Sequence, residues 1–274
     1  MTEAVLNRPE MSPALAGRSL AGAAKLWFTV AAIGHWIFVA YLLGHYGPLI
    51  FQSGAAGLAE STMPDGYVPG DIVGNAAALS HVVLATIIIG GGPLQLMPQI
   101  RSRFPRFHHW LGRSYITAAV ISAAGGLYMI WTRGTVGDTW TQLGTSLDGV
   151  LILVCAAFAL RFAIARDITR HRRWALRLFM VAGAVWFFRV GLMGWVTVTG
   201  GIGIDWETFT GPFIYFLSFG QYLVPLIVLE LYFRARDGRE PASQIAVAVT
   251  IAAFTVFMGT GIFAATMGMW LPRL

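Results

Sequence analysis

Residues 79–115 read LSHVVLATIIIGGGPLQLMPQIRSRFPRFHHWLGRSY. A solid apolar run interrupted by one histidine passes into a short segment with Arg101, Arg103, Arg106 and Arg113, after which apolar residues resume. The run lacks the two-residue alternation of a membrane barrel strand. Lipid otherwise accepts only backbone that satisfies its own hydrogen bonds, which means a helix. The unit is therefore helix, basic turn, helix, repeated through a membrane.

Working outward, apolar segments of the same kind lie at 26–46, 75–97, 114–132, 148–165, 175–198, 212–232 and 244–270. Each is near the ~20 residues needed to cross a bilayer core. The composition agrees: of 274 residues 56% are hydrophobic and only 12% charged, about half the usual share of ~25%. That excludes a disordered chain and leaves too little polar surface for an ordinary soluble domain. The expected fold class is all-α, a polytopic transmembrane bundle of seven helices. Residues 1–25 are read as a flexible cytoplasmic tail and 26–274 as a single transmembrane domain, with spans two to five as its core.

Charge gives the orientation. Of the 19 Lys and Arg residues, all but Arg133, Arg189 and Arg273 flank the first span or fall in the turns after spans two, four and six. The positive-inside rule then places the N-terminus in the cytoplasm and the C-terminus outside. Acidic residues including Asp71, Asp138 and Asp148 fall on the outer side, and no carboxylate is expected deep in a span. The net charge of +6 sits in these short turns, as topology signals do, so nucleic acid is not an expected partner. The single cysteine, Cys155, can form no internal disulfide, and no cysteine cluster points to a metal. Walker, dinucleotide, zincin and nucleophile-elbow motifs are absent, and no reaction or catalytic residue is assigned.

Two turns share a pattern: RFHHWLGRSY at 106–115 and RHRRWALRLF at 170–179 both carry Trp, two residues, then Arg. With the 79–115 stretch, these segments resemble a bacterial family of multi-pass membrane proteins known as domain of unknown function 2306. The matching positions are His81, Pro93, Gln95, His108 or His109, Gly112, Arg113, His171, Arg172, Trp174, Arg177 and Arg189. The resemblance covers about 75–235. The doubled His108-His109 leaves open which histidine is the equivalent one. The resemblance implies a bacterial inner-membrane location and no particular activity.

Ionisable groups in hydrocarbon are costly unless paired or hydrated, so each is a functional candidate. The candidate cofactor-binding residues are His35, His81, His109, His171, Arg177 and Arg189. With ~1.5 Å rise per residue, His81 and Arg189 fall at similar depth in the outer half, whereas His35 and His81 differ by about 8 Å. One reading is a redox protein holding haem b between imidazoles, with arginines on its propionates. The alternative is a non-enzymatic transporter or binder of a small molecule or lipid, with Gly90-Gly91-Gly92-Pro93 interrupting span two. A third is an accessory subunit of a larger membrane complex, and a homo-oligomer is a further partner option. The arginine-rich turns would meet anionic lipid or another anionic ligand. Arg177, at the start of a helix, would need an anionic partner against the helix dipole.

Overall fold

The computed structural model describes residues 12–274. Helix α1 (Pro13–Tyr41) runs through a π turn at Leu42–Tyr46 into α2 (Gly47–Ser53). After a connecting loop come α3 (Ile72–Leu96), the short α4 (Pro98–Arg103) and α5 (Pro105–Arg133). Then follow α6 (Thr139–Ile164), α7 (Ile168–Ala182) and α8 (Ala184–Thr199). The chain ends with α9 (Pro212–Gly238) and α10 (Pro241–Ala265), the last continuing through a second π turn, Thr266–Trp270. No strand is present among the described residues beyond one isolated bridge, Asp205 to Thr210.

Local chemistry starts each helix. Asp71, Asp138, Asp167 and Glu240 accept hydrogen bonds from the first amides of α3, α6, α7 and α10, satisfying donors that the helix cannot. Pro98, Pro105, Pro212 and Pro241 occupy the first helical position, where a missing N–H costs nothing.

Six helices are long and apolar enough to cross a membrane, and α7 with α8, bent by 54° between them, adds a seventh when the pair is counted as one span. The helices form a ring in the order α1, α3, α5, α6, α9, α10, closed by the long α1–α10 contact. α7 lies against α3, α6 and α9, and α8 against α9 and α10. Spans two to five are therefore not a separate core: the first and last helices complete it. Close approach rests on small residues. A Cβ on Gly34 would stand 2.6 Å from Ile262 and from Trp186, and one on Gly144 2.8 Å from the Ser218 carbonyl oxygen. Large apolar side chains such as Ile227, Val249, Val256 and Phe263 point outward, the inverse of a water-facing surface and suited to lipid.

Four expectations change. Residues 13–25 are not a loose tail but the first turns of α1; residues 1–11 of that tail lie outside the described residues. The Gly90–Pro93 stretch does not interrupt its span: α3 continues to Leu96. Its glycines admit neighbours instead, with Phe179 2.9 Å from a Cβ on Gly92. The break lies at Gly183, between α7 and α8. And α6 starts at Thr139, which sets Asp148 ten residues inside the helix and buried, not at its outer margin.

Candidate functional site

α1, α3, α8 and the π turn after α10 converge at the end of the bundle opposite the arginine-rich turns. Arg189, on α8, lays its guanidinium over the Phe38 ring at 5.5 Å. Its Nη1 donates to the Val185 carbonyl at 3.1 Å. Among the described residues no carboxylate forms an ion pair with it. Its charge is within electrostatic range of His81, Tyr41, Tyr46 and Arg273.

Aromatic rings wall this space. Trp270 packs 5.0 Å from Phe38 and 6.3 Å from Tyr41, and His45 stacks on Tyr41 at 5.3 Å. Two buried polar atoms here have no hydrogen-bond partner, Trp270 Nε1 and His45 Nε2; His81 Nδ1, also without one, faces α5, 3.8 Å from a Cβ on Gly126. His45 Nδ1 donates to the Arg273 carbonyl at 3.1 Å, so its Nε2 accepts when the ring is neutral and donates when it is charged. The two π turns, which carry His45, Tyr46 and Trp270, lie at this end; such turns re-aim side chains and concentrate at working sites.

A loop lies over the cluster. Thr62 Oγ1 meets the Tyr41 and Tyr46 hydroxyls at 3.3 and 3.1 Å. Arg133 holds the same loop, donating to Asp71 Oδ2 from Nε and Nη2 at 3.0 and 2.7 Å, to Asn75 Oδ1 at 2.7 Å and to the Asp65 carbonyl at 2.8 Å. The Gly74 amide first, and then Arg133, hold the Asp71 carboxyl below the usual carboxylate range.

The other candidates lie elsewhere. His35 is 1% exposed, boxed by Trp186 at 4.2 Å and Phe179 at 5.3 Å. Its Nδ1 donates to the Ala31 carbonyl at 2.8 Å, and a Cβ on Gly183 would stand 3.6 Å from its Nε2. It braces the α7–α8 break. His171 Nδ1 donates to the Ala159 carbonyl at 2.9 Å and ties α7 to α6. Gln95 Nε2 donates to the His108 carbonyl at 3.0 Å and ties α3 to α5. His108 is partly buried while its neighbour His109 is exposed. These are the histidines whose rings approach each other, 6.0 Å apart on one helix. A haem held by two imidazoles needs rings facing from separate helices; His35 and His81 sit in separate surroundings and do not supply that arrangement.

Arg177 is not at a helix start: α7 begins at Ile168. The expected anionic partner is internal, for Arg177 Nε donates to Glu230 Oε1 at 2.7 Å. The shared Trp-x-x-Arg pattern has a common physical content. Arg113 lies 5.4 Å from the Trp110 ring centroid and Arg177 4.8 Å from that of Trp174, each a cation–π contact. The first pair is exposed and, with Arg101, Arg103, Arg106, Phe104 and Phe107, forms a basic and aromatic surface.

The sequence singles out Arg189 and His81 as candidates but not Tyr41, Tyr46, Thr62 or Trp270. The spacing Tyr41, His45, one helical turn apart, was the available signal.

A family model described as predicted membrane protein (DUF2306) matches residues 78–231, more than half of the chain. No curated protein and no solved structure matches the chain. The matched region supplies His81 and Arg189; α1 and the turn after α10, outside it, supply the aromatic wall.

Proposed function

The chain belongs to the DUF2306 family of predicted membrane proteins, and on that premise we propose that it binds an amphiphile with an anionic head at Arg189. The observation that carries the reading is an arginine inside a span with no carboxylate partner among the described residues. An unpaired charge in hydrocarbon costs a few kcal/mol or more, and an anion is what a guanidinium takes. Trp270 N–H adds a fixed donor, and His45 Nε2 adapts to the head group. An apolar groove of about 290 Å³ between α1 and α10, lined by Val30, Ile33, Ile37, Ile262 and Phe263, ends at Thr266, the first residue of the π turn; it suits an alkyl tail.

The same reading puts the protein in the bacterial inner membrane, with its basic end in the cytoplasm against anionic headgroups and the Arg189 cluster toward the outer face. The test is binding of a long-chain fatty-acid carboxylate to the detergent-purified protein, followed by thermal stabilisation, with the methyl ester as control. The carboxylate stabilises the wild type, the ester does not, and Arg189→Gln lowers carboxylate affinity at least tenfold. Equal binding of acid and ester overturns the reading.

A further inference from the structure

Asp148 lies ten residues into α6, about 15 Å from the capping residue Asp138 along the helix. It is 6% exposed, its Oδ1 is buried without a hydrogen-bond partner, and it joins no ion pair among the described residues. An ionised carboxylate so placed is costly, and such a group takes up a proton instead.

The residues leading to it are also polar. Asp138, Thr141, Thr145 and Asp148 recur at intervals of three and four, which puts them on one face of α6. Tyr215, Ser218 and Tyr222 recur in the same way on α9, the helix packed against that face. The two stripes touch along their length. Tyr215 donates its hydroxyl to Asp138 Oδ2 at 2.9 Å, Gly144 packs on Ser218, and Tyr222 donates its hydroxyl to the Gly144 carbonyl at 3.1 Å. Thr141 Oγ1, between Asp138 and Asp148, is buried and without a partner, like Asp148 Oδ1. Asp138 at the mouth is only partly buried. Beyond Asp148 the same face of α6 turns apolar with Cys155, Ala156 and Ala159, so the stripe has one open end.

We propose that the facing stripes of α6 and α9 form a proton-access path, open at the end opposite the arginine-rich turns, that terminates at Asp148 as a proton-binding carboxyl. One proton binds Asp148 carboxylate to give the neutral acid and leaves by the same route; no other bond changes. The titratable groups within reach of its charge are Tyr222 on α9 and Cys155 on α6, both uncharged when protonated, while Arg177 on α7, which also reaches Cys155, is engaged by Glu230. This inference stands apart from the Arg189 site.

Infrared spectroscopy of the full chain in lipid tests it. At neutral pH the wild type shows the carbonyl stretch of a protonated carboxylic acid, which Asp148→Asn removes completely and Asp148→Glu retains. The band shifts when H2O is exchanged for D2O and fades as the buffer is made alkaline. Thr141→Val leaves the band in place and slows the D2O shift several-fold. Absence of the band at neutral pH, or its survival in Asp148→Asn, overturns the proton site. A band that neither shifts in D2O nor titrates marks a sealed structural acid and also overturns it. An unchanged shift rate in Thr141→Val overturns the path. Loss of the band on adding Na+ at constant pH reassigns the carboxyl to a metal cation.

Discussion

Single residues decide where charge is tolerated in this molecule. Asp71 is held below the ordinary carboxylate range by the Gly74 amide and by Arg133. A carboxyl depressed in the folded state contributes stability above its unfolded pKa and loses that contribution as pH falls through the folded value. Thermal unfolding of the purified protein from neutral to acidic pH should therefore show a steeper acid loss for the wild type than for Asp71→Asn. Asp71→Asn should also weaken carboxylate binding, because it frees the loop that bears Thr62. Arg177 and Glu230 make a contrasting pair: Glu230 is 42% exposed, so a double-mutant cycle should give a coupling of only about 0.5–1 kcal/mol.

At the scale of the element, each helix is set by its ends and its small residues. The bend at Gly183 needs no proline; it is held from the side by His35 among Phe179 and Trp186. Trp186 Nε1 donates in turn to the Gly34 carbonyl at 3.2 Å. α1, α8 and α10 meet there with no spare volume, since a methyl group on Gly34 would fall 2.6 Å from both Ile262 and Trp186. Gly34→Ala should cost about 1–3 kcal/mol by overpacking, measured as a lower unfolding midpoint in detergent. A midpoint equal to that of the wild type would show that α1 and α10 slide apart freely.

The whole molecule is asymmetric between its two ends. One carries Arg101, Arg103, Arg106 and Arg113 with exposed Phe104, Phe107 and Trp110. The other carries the loop-covered Arg189 cluster and the mouth of the α6–α9 stripe. Anionic lipid attracts basic side chains near its surface by about 1 kcal/mol each. Replacing those four arginines with glutamine should abolish the extra thermal stability that anionic vesicles give over neutral ones. Stability in neutral vesicles should stay as it was. Anionic stabilisation that survives the replacement would place lipid recognition elsewhere.

The sequence by itself determined the class and the six to seven spans, because hydrocarbon imposes solid apolar runs and basic turns that composition cannot hide, and its loop motifs pointed to the family. Counting residues along helices also gives His81 and Arg189 a similar expected depth. Tertiary structure alone decided which groups meet. The break moved from Gly90–Pro93 to Gly183, because proline near a helix end is accommodated while a neighbouring ring can hold a bend at glycine. Asp148 passed from the outer margin to the interior because its helix starts just after the Asp138 cap, which lies ten residues before the apolar run that the sequence displays. Arg177 found its counter-ion in Glu230, 53 residues away. Periodicity fixes depth and face along one helix; only packing fixes what stands across from it.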